Sequence, residues 1–113
     1  MCTKSELKIV TDEINSELVK ILGDKISRII LFGSYARGDY TLESDVDIMV
    51  ILNCPKDEAL SYRKQISRVA SRVGLKNDIM ISLLMRDKES FDSQKSISPF
   101  YRNIDREGVS IYE

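Results

Sequence analysis

The chain contains no histidine and no tryptophan, and it has only two cysteines and two prolines. Without histidine, Ser-His-Asp catalysis, Cys-His catalysis and histidine-ligated zinc sites are excluded. Any chemistry must then rest on carboxylates, hydroxyls, lysine, arginine and bound metal. Cys2 and Cys54 have neither the spacing of a metal site nor that of a disulfide framework. No apolar run is long enough to cross a bilayer and no apolar signal core follows Met1, so we expect a cytoplasmic protein without membrane contact.

An excess of charge of one sign is also missing, because the formal net charge is −1. This balance argues against a sequence-wide electrostatic footprint for nucleic acid, and we expect no direct nucleic-acid partner. Hydrophobic residues make up 42% of the chain and charged residues 31%, the composition of an ordinary folded protein. A length of 113 residues predicts one domain, 1–113, with no room for a second full core.

Hydrophobic periodicity predicts an α/β fold, in which a small mixed sheet is flanked by helices. Residues 90–98 are rich in serine and charge and are compatible with either a mobile loop or a frayed helix. The predicted elements are a helix over 5–22, a strand over 26–32, a helical turn over 35–38, a polar loop over 39–44, a strand over 45–52, a helix over 57–73, a strand over 75–84, a helix over 99–106 and an edge strand over 109–112.

A Gly-Ser turn follows the first predicted strand directly. Gly33 lets the backbone approach a phosphate group closely, and Ser34 supplies a hydroxyl and an amide N–H. Arg37 can neutralise phosphate charge. Taken alone, such a turn is a weak signal, and a lone arginine is more often part of a surface ion pair.

Carboxylates occur on the two strands that follow. Asp45 and Asp47 share one face of their strand, because side chains alternate along it, while Val46 and its alternate neighbours face the core. Asp78 lies in the predicted strand 75–84, and in a suitable register it converges with the other two. Such a site suits magnesium, with two ions in an in-line displacement, and Asp78 would bind the second ion and accept the hydroxyl proton. A solvated strand edge, or for Asp78 a turn cap, remains the alternative.

The order of the turn, the paired aspartates and the later aspartate indicates transfer of a nucleotidyl group. The run G-S-Y-A-R-G-D-Y-T-L-E-S-D-V-D-I-M-V resembles the signature of the nucleotidyltransferases related to DNA polymerase beta. More narrowly, it is similar to the minimal nucleotidyltransferases, or MNT proteins. The C-terminal stretch from Pro99 through Val109 resembles the end of those proteins as well, so the resemblance covers nearly the whole chain.

The resemblance implies a nucleotidyltransferase fold and magnesium-dependent transfer of AMP from ATP. It further implies a protein partner, a HEPN-domain toxin. The MNT protein is the antitoxin and adenylylates a tyrosine of that toxin. The roles carried over are metal binding and catalysis by Asp45, Asp47 and Asp78, and phosphate binding by Gly33 and Ser34.

Several questions stay open on the sequence. The antitoxin can act without catalysis by covering its toxin, with residues 90–98, Phe100 and Tyr101 as candidate contacts. A small-molecule nucleotidyltransferase of the aminoglycoside-modifying type is a further alternative, although this chain lacks an additional helical domain to hold such an acceptor. Tyr35 either stacks on a base or ribose or packs on the following helix. The nucleotide base, the acceptor and a homo- or hetero-oligomeric state are not determined by the residues.

Overall fold

Alternating side chains give the central strands two apolar faces, and helices cover both. The computed structural model describes residues 4–41 and 44–112. The helices are α1 (Lys4–Leu22), α2 (Ser34–Arg37), α3 (Lys56–Ser61), α4 (Arg63–Asn77), α5 (Lys88–Lys95) and α6 (Pro99–Glu107), with a 3₁₀ turn at Gly23–Lys25. The strands are β1 (Ile26–Phe32), β2 (Val46–Leu52), β3 (Ile81–Asp87) and β4 (Val109–Ser110).

The four strands form one mixed sheet in the order β3-β2-β1-β4. Strand β1 pairs antiparallel with β2 and β4, whereas β2 and β3 run parallel. The predicted small mixed sheet flanked by helices is confirmed, and β1 has the predicted bounds. None of the helices in the described ranges is long and apolar enough to cross a membrane.

The larger core lies on the face of the sheet covered by α1 and α4. Val46, Ile48 and Val50 point into it from β2, which confirms the predicted inward face of that strand. The two helices contribute an apolar stripe at helical spacing. Its buried members are Val10, Ile14 and Leu18 of α1 with Ile66, Val69 and Val73 of α4.

A second, smaller core lies on the opposite face. There Met49 and Ile51 of β2 pack with Phe91 of α5 and Ile104 of α6. The 90–98 segment, which the sequence left open, is therefore largely helical. Helix α5 begins where the carboxylate of Asp87 accepts a hydrogen bond from the Ser90 N–H at 3.0 Å, a common N-cap arrangement.

The predicted helix 57–73 and the predicted strand 75–84 are wrong in their bounds. The first is two helices, α3 and α4, and α4 continues past Gly74 to Asn77. Gly74 lies inside helix α4 rather than at its end. Its missing side chain allows the backbone before β3 to pack closely against the helix. A Cβ on this residue would come within 2.7 Å of the Ile79 carbonyl oxygen. The third strand consequently starts at Ile81 rather than at 75.

We expect Ile48→Ala to lower the free energy of unfolding by about 2–5 kcal/mol, because Ile48 is fully buried and its truncation leaves a cavity. The matched control is Ile9→Ala on α1, where the side chain is 53% exposed. Urea denaturation of both variants measures the difference. An equal, small loss in both would contradict this packing of β2.

Candidate active site

The candidate site lies where β1 ends and β2 begins. Antiparallel pairing places Phe32, the last residue of β1, opposite Asp47. The turn that follows β1 is thereby held beside the start of β2. Gly33 has φ 76° and ψ −156°, a backbone conformation that is essentially restricted to glycine.

Gly33 also lies directly against the Asp47 carboxylate. A Cβ placed on Gly33 would overlap the Oδ2 atom of Asp47. The absence of a side chain at Gly33 therefore lets a carboxylate and a backbone turn share the same small volume. This contact joins the two halves of the sequence motif, the Gly-Ser turn and the paired aspartates.

Helix α2 forms a short turn directly after Gly33. The Arg37 N–H donates to the Gly33 carbonyl at 3.1 Å, and Gly38 closes the turn in the left-handed conformation with φ 84°. The Arg37 guanidinium lies 3.3 Å from an Asp39 carboxylate oxygen in an exposed ion pair. Arg37 and Asp47 line the same cavity.

Tyr35 packs into the main core. Its side chain is buried, and its ring stacks on that of Tyr40 with centroids 4.4 Å apart and planes 10° apart. Of the two roles that the sequence left open for this residue, packing is the one that the structure supports. The stacked pair connects α2 to the loop that follows it in the chain.

The loop before β2 is braced by Ser44. Its hydroxyl accepts a hydrogen bond from the Thr41 N–H at 2.8 Å, and its own N–H donates to the Thr41 carbonyl at 3.1 Å. Residues 42 and 43 of the predicted polar loop lie outside the described residues. These two hydrogen bonds hold the backbone at Ser44, the residue immediately before Asp45.

The two aspartates differ in environment. Asp45 is exposed, whereas Asp47 is partly buried. Burial raises the pKa of Asp47, the charge of Asp45 raises it further, and Arg37 lowers it. A carboxylate in this environment is stabilised by an added cation. Partial burial, a neighbouring carboxylate and oxygen ligands together fit one divalent metal ion such as magnesium.

Asp78 does not join this pair, and the predicted convergence of three carboxylates on one sheet face is wrong. Asp78 is the C-terminal cap of α4 in the left-handed conformation, with φ 52° and ψ 49°, and it precedes β3. It lines a separate groove with Gly74 and Met80. Within residues 4–41 and 44–112, no three acidic or cysteine side chains form a group able to hold a metal ion. Capping a turn, the alternative that the sequence left open, describes its position.

A cavity of about 240 Å³ opens beside Asp47. One face of α6 forms part of its wall, through residues spaced three and four apart, and the sequence argument did not assign them to the site. That spacing is the signal that could have identified them, but only once the docking of α6 is known. The lining residues are Phe32, Gly33, Ala36, Arg37, Asp47, Phe100, Asn103, Ile104, Glu107 and Gly108.

Comparisons with known proteins identify the family of this chain. Residues 12–105 match the family described as Nucleotidyltransferase domain. MJ0141 of Methanocaldococcus jannaschii, named as a protein adenylyltransferase, is 42% identical over 83 residues, which cover 74% of this chain and 82% of the relative. MJ0604 of the same organism, also named as a protein adenylyltransferase, is 34% identical over 108 residues, or 96% of this chain and 99% of the relative.

A solved structure shares the fold. It is a toxin-antitoxin structure with AMP-PNP, and it aligns with a TM-score of 0.50 and 18% identity over 89% of this chain and 71% of that chain. Together, the sheet, the glycine turn and the sequence matches define a nucleotidyltransferase. The chain belongs to the nucleotidyltransferase domain family.

We expect Gly33→Ala to abolish nucleotide binding, because the new Cβ displaces the Asp47 carboxylate. The control is Gly38→Ala, which also requires a positive φ but has no atom within 4 Å of the new Cβ. Both variants lose stability through backbone strain, whereas only Gly33→Ala loses binding. Calorimetric titration with Mg·ATP distinguishes the two, and unchanged affinity in Gly33→Ala would contradict the contact.

Asp47→Asn should raise the melting temperature of the metal-free protein at neutral pH. The pKa of Asp47 is raised in the folded state, so ionisation favours the unfolded chain as the pH rises above the ordinary Asp pKa of 3.8. The gain should therefore be present at pH 7 and vanish at about pH 3, where the carboxyl is protonated in both states. Thermal melts in EDTA at both pH values test this.

The exposed carboxyl of Asp24, in the 3₁₀ turn after α1, provides a matched control as Asp24→Asn. It should show no comparable gain at pH 7. A loss of stability in Asp47→Asn at neutral pH would show that the Asp47 charge is compensated within the protein, contrary to the electrostatics described above.

Proposed function

We propose that this protein transfers AMP from ATP to a hydroxyl of another protein, and that it acts in this way as the antitoxin of a toxin-antitoxin pair. The observation that carries the proposal is the Asp47 carboxylate held against Gly33, beside Arg37 and a cavity at the ends of β1 and β2. The choice of adenylyl transfer is supported by relatives named as protein adenylyltransferases, which match this chain over most of their length.

Each part of the site has a role in this proposal. Asp45 and Asp47 are the magnesium ligands. Gly33 and Ser34 bind phosphate oxygens, and Arg37 neutralises part of the phosphate charge. Magnesium, when bound, stabilises the charge that develops on the phosphate oxygens. A domain of this size leaves most of the contacts that hold the acceptor to the partner protein.

The proposed reaction is a substitution at the α-phosphorus of ATP. The acceptor hydroxyl oxygen forms a bond to that phosphorus, and the bond from phosphorus to the oxygen bridging to the β-phosphate breaks. Pyrophosphate leaves with the bonding electron pair, and the hydroxyl proton passes to solvent or to a nearby base. The chain positions the phosphates so that the hydroxyl and the leaving oxygen lie in line.

The proposed acceptor is a tyrosine of a cognate HEPN-domain toxin. The solved structure with the related fold is a toxin-antitoxin with AMP-PNP, which supports a toxin as the partner but does not identify its family. The exposed apolar side chain of Phe100, which lines the cavity, favours a protein contact there. The same surface is the observation that favours the second candidate, neutralisation by binding alone.

Incubation of the protein with the product of the neighbouring gene and Mg·ATP should add one or more adenylate units to that partner, as recorded by intact mass. Asp47→Asn should abolish the addition while leaving the circular dichroism spectrum unchanged. Asp24→Asn, which removes an exposed carboxylate distant from the motif, should retain it. A stable complex without a mass change would reject adenylyl transfer and support neutralisation by binding.

A further inference from the structure

Strand β3 forms one edge of the sheet. Its seven residues pair with β2 without a shift of register, and no other strand in the described part of the chain pairs with it. The opposite edge, β4, has only two residues. Natural proteins protect a long edge with lysine, proline or a bulge, because such an edge readily pairs with another strand. The run Ile-Ser-Leu-Leu-Met, which begins β3, contains none of these.

Alternate residues of β3 direct their backbone groups away from β2. The Val46 N–H donates to the Met80 carbonyl at 2.9 Å, so Met80 and every second residue after it turn their backbone groups toward β2. Ile81, Leu83 and Met85 therefore direct their N–H and carbonyl groups outward. These are the groups with which a further strand would form hydrogen bonds.

Large apolar side chains flank both ends of this edge. Leu75 and Met80 line the groove at the start of β3, and their side chains are 84% and 68% exposed. At the other end, the exposed Leu60 lines a cavity together with Met85. Exposed apolar side chains that are grouped in this way are typical of protein contacts. The edge therefore suits another protein strand.

The two ends of the edge also carry opposite charge. Asp78 lines the groove at the start of β3 together with uncharged residues. A cavity of about 500 Å³ lies at the other end, where three basic side chains outnumber the buried carboxylate of Asp87. An antiparallel second copy places the acidic end of each chain against the basic end of the other, so the surface is complementary to itself. The basic residues are Lys56, Arg63 and Arg86.

We propose that β3 pairs with β3 of a second copy of this chain, antiparallel about a two-fold axis at Leu84. The two four-stranded sheets then form one continuous sheet. This register pairs the whole strand and sets Ser82 opposite Arg86, so that the two arginines do not face each other. Leu83 and Met85 form a hydrogen-bonded pair, because both direct their backbone groups outward, and Leu84 meets its own copy in a non-hydrogen-bonded pair.

The proposed pairing does not use the candidate active site. Among the described residues, none that line the cavity beside Asp47 belongs to β3. Each chain of the dimer would keep its own site. The pairing therefore does not depend on adenylyl transfer, and either proposal can fail without the other.

Sedimentation velocity of the purified chain tests the pairing, and the wild type should sediment as a dimer at micromolar concentration. Leu83→Pro should sediment as a monomer, because proline removes an outward N–H and leaves the hydrogen bonds to β2 in place. Leu83→Ala shortens the same side chain but keeps the N–H, so it should remain a dimer. Circular dichroism checks that both variants are folded.

Disulfide formation tests the register without a change to the backbone. In a Cys2→Ser, Cys54→Ser background, Leu84→Cys should form a linked dimer on mild oxidation, because its pairing sets the two Cα atoms about 4.5 Å apart. The two copies of residue 83 lie diagonally across the pair, about 8 Å apart. Leu83→Cys should therefore form no such link, and it serves as the control.

Three results would overturn the proposal: a wild type that stays monomeric at high micromolar concentration, a folded Leu83→Pro that stays dimeric, or equal linkage of the two cysteine variants. Hydrogen exchange identifies a different occupant. If the outward β3 amides become protected only when the product of the neighbouring gene is added, that protein and not a second copy covers the edge.

Discussion

The close contact between the Gly33 backbone and the Asp47 carboxylate is the constraint on which the site depends. It exists because β1 and β2 pair antiparallel with Phe32 opposite Asp47, which brings the end of one strand to the start of the other. The flanking helices fix that pairing from both faces, α1 and α4 on one side and α5 and α6 on the other. The proposed phosphate-binding turn and the proposed metal-binding carboxylate are therefore adjacent in the fold.

Local features of the fold were predictable from the sequence. The bounds of β1 follow from a short isoleucine-rich run that ends at a glycine turn, and α6 begins at Pro99, which favours the first turn of a helix. The errors arose where a residue type has two uses. Gly74 resembles a helix stop in the sequence, but its missing side chain instead admits the Ile79 carbonyl. That misreading moved the start of the third strand and placed Asp78 on it.

The candidate site shows the same difference between features that are local in the sequence and features that depend on the fold. The glycine turn and the paired aspartates lie within one short stretch of chain, so their chemistry was visible in residue types and spacing. The position of Asp78 depends on strand bounds and register, and the contributions of the α6 residues Phe100, Asn103 and Glu107 depend on helix docking. Neither is encoded in local periodicity, because a shift of register by one residue moves every side chain to the other face. The position of Asp78 along the chain therefore did not predict its position in the fold.

Electrostatics connects the stability of the fold with its proposed use. Asp47 is partly buried beside another carboxylate, and Arg37 offsets only part of this, since the pKa of Asp47 remains raised. The metal-free protein thus carries an unfavourable interaction, which the proposed nucleotide-bound cation would relieve, so that binding of metal and binding of nucleotide would support each other.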